Sequence, residues 1–173
     1  MPKMPPGVPD ALGGEGRSKV AKELGRLDPF SFWIVPAPSG SAGDFVVAGT
    51  TGVFLVLVCA FTGTVDEVRG RTTIAGRSLR GRRSLRAAAK KLSSRLSAAS
   101  VSARVEPVVC LTHAAAGRAR TERGILVTHV GDLAAEIGRR PRAQPANRAQ
   151  RAARILGMHL SGDERRHFMP TTP

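Results

Sequence analysis

Aromatic side chains are scarce in this 173-residue chain: there is no tyrosine, one tryptophan and six phenylalanines, 4% in all. Proteins that hold single-stranded nucleic acid stack bases on aromatic platforms, so the shortage argues against sequence-specific single-strand recognition. Cysteine is rarer still. Cys59 and Cys110 sit inside the apolar runs VLVCAF and PVVCL, where a thiol behaves as a small hydrophobe, and no His or Asn stands near Cys59 in a nucleophile pattern. A reduced, cytoplasmic protein is the expectation. The four histidines, His113, His129, His159 and His167, lack metal-ligand spacing, so zinc is not expected. No n-region followed by an uninterrupted apolar h-region is evident at the start, so a secretory signal is not expected. The one membrane candidate, Gly43 to Phe61, is broken at Gly49-Thr50-Thr51-Gly52 into pieces far shorter than the roughly 20 residues a spanning helix needs.

Acidic residues are missing where basic ones crowd. The net charge is +14, and Arg69 to Arg95 holds ten basic residues and no acidic one. Arg139 to Arg154 adds six arginines, again without an acid. Such fields suit phosphate-rich partners, although a solvated helix back has the same composition. Length allows one compact domain with tails. Prolines 2, 5, 6 and 9 block regular structure at the start, and MPTTP closes the chain in the same way. Three parts are expected: a disordered Pro-rich N-terminus over 1–13, a folded domain over 14–138, and a basic helix and tail over 139–173.

Period and punctuation give the elements. Val20, Leu24 and Leu27 have helical spacing within Gly14 to Leu27, and a strand follows over Phe32 to Pro36. DFVVAG, a TTG turn and VFLVLVCAF form an apolar antiparallel hairpin. Its second arm is apolar on both faces, so it belongs at the centre of a sheet covered on both sides. From Arg82 to Ala99 the residues Leu85, Ala89, Leu92, Leu96 and Ala99 form one helical stripe, with Arg83, Arg86 and Lys90 on a flank. Strands are predicted over Val105 to Thr112 and Gly124 to His129. A helix capped by Asp132 follows, and a basic helix begins after Pro145.

Several of these pieces form an ordered set. Gly14-Glu15 opens a helix bearing Val20, Leu24 and Leu27; Asp44-Phe45-Val46-Val47 precedes Gly52-Val53-Phe54 and Phe61-Thr62-Gly63-Thr64-Val65. Val105-Glu106-Pro107-Val108-Val109 and Gly124-Ile125-Leu126-Val127 with Leu133 complete it. From Gly14 to Ile137 the chain resembles the nuclease-related domain family (NERD), a branch of the restriction-endonuclease-like fold. The resemblance implies a single α/β domain with a central mixed β-sheet flanked by helices.

It also implies a chemistry that this sequence does not complete. A restriction-type nuclease holds Mg²⁺ between carboxylates on adjacent strands and uses a lysine near the scissile phosphate. Asp44 stands at the first carboxylate position and Glu15 matches a helix carboxylate, but Leu57 and Cys59 occupy the places of the family's Glu and Lys. Gly81 or a neighbouring arginine replaces a glutamine at the start of the long helix. Independently of the resemblance, Val53 to Phe61 contains no carboxylate. Asp66 and Glu67 follow Gly63, read as a turn, and are expected to face solvent.

The expectation is a catalytically impaired relative. Glu15 and Asp44 are residual carboxylates, Asp44 binds metal weakly if at all, and Mg²⁺ matters only if activity is retained. Nucleic acid is bound through Arg82, Arg83, Arg86 and Lys90. The alternatives are an assembly module whose arginines meet an acidic protein surface, and an active Mg²⁺-dependent nuclease with a rearranged site. The plainer roles are a strand start for Asp44 and a helix-start charge for Glu15, which lies opposite Leu24 on a helical wheel.

Overall fold

A computed structural model describes residues 8–157 except 39, 80 and 116. Expectations for the outermost tails, for Arg80 and for residues 158–160 lie outside the described residues. The first helix, α1 (Val8–Leu24), starts six residues ahead of the expected Gly14. The segment 1–13, expected to be disordered, is thus helical from Val8. Pro9 falls in the first turn, where a missing N–H costs no helical hydrogen bond.

After α1 come β1 (Phe32–Pro36), β2 (Phe45–Gly49) and β3 (Gly52–Val68). They form an antiparallel meander, with Phe45 opposite Val56 and Ala48 opposite Val53. A short hairpin, β4 (Arg71–Ile74) and β5 (Arg77–Ser78), leads into α2 (Arg82–Ala98). The chain returns as β6 (Val105–Ala115), parallel to β3, and continues through β7 (Arg120–Glu122) to β8 (Ile125–His129), parallel to β6. A 3₁₀ turn over Val130–Asp132, α3 (Leu133–Gly138) and α4 (Ala146–Gly157) complete the unit. The main path of this mixed sheet runs β1-β2-β3-β6-β8-β7. The protein is therefore a single α/β domain with a central mixed sheet flanked by helices.

Strand alternation builds the two cores. Val46, Ala48, Val53, Leu55 and Cys59 point to one face, where Leu85, Ala89, Leu92 and Leu96 of α2 and Ala152, Ala153 and Leu156 of α4 cover them. Phe45, Val47, Phe54 and Val56 point to the other, against Val20 and Leu24 of α1 and Leu133 and Ile137 of α3. The double-sided apolar strand thus has the two helix layers its pattern demands. The boundary expected at 138 is not a structural one, because α4 packs on β1 and β2 as part of the same domain.

Two local readings change. Gly63 is not a turn: β3 continues through it with φ 131° and turns only at Arg69 and Gly70. An alanine Cβ from residue 75 lies 2.9 Å from where a Gly63 side chain would begin, so the position tolerates no side chain. A register shift between Cys59 and Thr62 accompanies this stretch. Asp132 stands at the cap position of α3, but its side chain accepts no capping hydrogen bond; His129 Nδ1 accepts from Gly131 N–H at the 3₁₀ turn instead.

α2 carries a local conflict that its packing overrides. Gly81, with φ 84°, precedes it without a side-chain cap, and Arg82 and Arg83 sit in a first turn that has no acidic residue. Cations there oppose the helix dipole by about 0.3–1 kcal/mol each. Burying Leu85, Leu92 and Leu96, each worth roughly 1.5–3 kcal/mol, outweighs that.

Candidate functional site

Asp44 lies just before β2, where β3 runs on past its antiparallel partner. Its backbone N–H donates to Val56 O at 2.7 Å, which sets the side chain beside β3. Asp44 Oδ2 accepts from Val58 N–H at 2.7 Å. Asp44 Oδ1 accepts from Arg17 of α1, through Nε at 2.7 Å and Nη2 at 2.6 Å. The Asp44 side chain is 9% exposed, whereas Arg17 is 66% exposed. Both carboxylate oxygens are thus engaged by the protein, and the result is a tie between α1, β2 and β3.

Leu57 and Cys59 flank the Val58 amide. Both belong to the core under α2: Leu57 packs against it, and an added Gly81 Cβ would meet Leu57 at 3.4 Å. Cys59 is 5% exposed, and burial, then the charge of Asp44, pushes its thiol up to about 11. A hard divalent cation does not fit this set. The one carboxylate is already satisfied, Leu57 has no donor atom, and a buried protonated thiol is a poor Mg²⁺ ligand. Among the described residues no three His, Cys, Asp or Glu side chains converge on a common point.

Glu15 is not brought together with Asp44. Residues 15 and 17 are about 200° apart around a helix, so their side chains leave α1 in different directions. Glu15, 54% exposed, pairs with Lys19 at 2.7 Å and lies 3.7 Å from His113 Nε2 on β6. Lys19, then His113, holds its carboxyl below the ordinary range. Beside Asp44 a solvent-open cleft of about 540 Å³ runs between α1 and the loop before β2, lined by Arg17, Ser18, Ser41 and Pro38. Asp66 and Glu67 are exposed on β3, away from this cleft's lining.

The four cationic residues separate into two kinds. Arg82 is 18% exposed, pairs with Glu122 at 3.1 Å and donates from Nη2 to Thr72 O, so it is committed within the fold. Arg86 is exposed and donates to Arg123 O at 2.6 Å. The side chains of Arg83 and Lys90 are exposed and form no ion pair or hydrogen bond among the described residues.

Sequence reasoning did not find the centre that holds Arg82. Glu122 of β7, 7% exposed, accepts from Thr72 N–H and from Arg120 Nε, both at 2.9 Å, and from Thr72 Oγ1. Burial alone raises its carboxyl, but the Thr72 and Arg120 hydrogen bonds and the Arg82 charge hold it below the ordinary value. Local pattern does not reveal Arg17 either. In both cases the partner lies far along the chain, 27 residues for Arg17 and 50 for Thr72 and Glu122, beyond any local signal.

Cys59 and Cys110 sit on opposite faces of adjacent strands and are both free. Burial pushes both thiols up. A thiol titration of the native protein is expected to show no fast-reacting group, and two after unfolding; one fast thiol before unfolding would contradict this packing. Set against family models, curated proteins and solved structures, the chain matches none of them.

Proposed function

We propose that this chain is a non-catalytic nucleic-acid-binding domain of the nuclease-related, restriction-endonuclease-like kind. The observation that carries the binding reading is α2: a 17-residue helix without an acidic residue, presenting Arg83, Arg86 and Lys90 to solvent. Of the two cations in its first turn, Arg82 is committed to Glu122, but Arg83 stands exposed against the helix dipole without an ion pair among the described residues, which a ligand explains better than stability. Support for lost cleavage comes from the engaged oxygens of Asp44 and from Leu57 and Cys59 beside it. Among the described residues, no helix is long and apolar enough to cross a membrane. Two unpaired thiols suit a reducing compartment, and we assign the domain to the cytoplasm.

The test is duplex binding by fluorescence anisotropy across a salt series, with and without Mg²⁺ or Mn²⁺. Binding is expected to weaken steeply with salt, without cleavage. The triple variant Arg83→Ala, Arg86→Ala, Lys90→Ala should flatten the salt slope by about 3, following roughly 0.9 for each phosphate no longer neutralised. No binding at low salt would overturn the proposal. Metal-dependent cleavage that disappears in Asp44→Asn would overturn its non-catalytic part.

A further inference from the structure

The sheet separates charge. α2 and α4 lie on the same face of the sheet, touch each other, and are joined by Arg151 Nη2 donating to Ala99 O at 3.0 Å. Together they carry nine basic residues and no acidic one. α1 and α3 on the other face carry four acidic and three basic residues. Two basic runs that are far apart in the chain therefore meet in one helical layer. Since both helices bury their apolar sides against the same sheet face, their backs point outward together. Arg83, Lys90 and Lys91 of α2 and Arg148, Arg151 and Arg154 of α4 are all exposed there.

We infer that α2 and α4 form one continuous surface for the phosphodiester backbone of a nucleic-acid duplex, with α4 as its second half. The inference rests on the proposed binding function and extends it to α4. Charge complementarity selects the partner, and what the two backs lack narrows it. Neither helix has an aromatic residue, so unpaired bases have nothing to stack on. The exposed large hydrophobics among the described residues are Phe30, Phe61 and Val68, none of them on these helices, so the layer has no apolar side to insert into a membrane. Regular cationic rows on stiff elements match regularly spaced phosphates, which fix position without reading sequence. α2 is about 25 Å long, the rise of roughly 7 base pairs.

Three variants of the full chain test this: Arg83→Gln with Lys90→Gln on α2, Arg148→Gln with Arg154→Gln on α4, and all four together. Arg151 is left in place because it bonds α2. Each double variant is expected to weaken binding of a 20-base-pair DNA or RNA duplex about tenfold at low salt and to lower the salt slope by about 2, and the quadruple variant by about 4. Circular dichroism and unchanged melting confirm the fold, and Arg148→Lys with Arg154→Lys should retain binding. If the α4 variant binds like the wild type while the α2 variant is weakened, the inference is overturned and the proposed function stands. A wild-type protein that ignores both duplexes, or that binds only vesicles of anionic lipid, overturns both.

Discussion

Replacing Glu122 by alanine is expected to destabilise the protein by about 3–5 kcal/mol, the usual cost of breaking a buried ion pair from one side. Glu122 neutralises Arg82 and Arg120 and satisfies the Thr72 amide and hydroxyl at once. Without it, Arg82 stays 18% exposed with no carboxylate of its own, beside an Arg120 that keeps only the exposed Glu67 at 3.6 Å, and the amide of the fully buried Thr72 loses its acceptor. For a domain of this size the melting temperature should fall by roughly 10–15 °C. Glutamine keeps an acceptor but not the charge, so Glu122→Gln is expected to fall between.

The acid limb carries the same information. The folded-state pKa of Glu122 lies below its ordinary value, so its stabilisation is complete above the ordinary glutamate range and is lost as pH falls through the depressed value. Urea unfolding from pH 7 down to pH 3 should show wild type and Glu122→Gln converging at the acid end. Curves that stay parallel, or a Glu122→Ala variant within about 1 kcal/mol of wild type, would mean that the network is not what joins β4, β7 and α2.

For Asp44→Ala the expected loss is about 1–3 kcal/mol, because the variant strands the Val58 amide that the carboxylate now covers. Arg17→Ala should cost much less, about 1 kcal/mol or under, since Arg17 is 66% exposed and water replaces its partner. This asymmetry separates a structural Asp44 from a metal ligand. Mg²⁺ is expected to leave the melting temperature of the wild type unchanged and duplex affinity of the folded Asp44→Ala protein intact. Mg²⁺ stabilisation that disappears with Asp44 would refute the structural account.

Alternation and helical spacing are enough to place most elements. β1 is legible to the residue, and the double-sided apolar arm of β3 requires the helices found above and below it. The α2 stripe names four of its buried residues, Leu85, Ala89, Leu92 and Leu96. These signals are local, so a single chain segment contains them whole. Where context decides, local pattern misleads. Gly63 has a turn residue's composition but lies within a strand, and Arg82, expected among the phosphate-contacting residues, is instead held within the fold by Glu122, 40 residues away.

Residue pattern alone was enough for an α/β domain with a strand buried on both faces, for a strongly and unevenly basic charge, and for the lack of any carboxylate on Val53 to Phe61. Which charges are free and which are bound followed from the three-dimensional packing, since the partners lie tens of residues apart. It matched Arg17 to Asp44 and Arg82 to Glu122. It also set the two basic runs side by side, because α2 and α4 bury their apolar stripes on one sheet face and their cationic backs must then share the other side of a single layer.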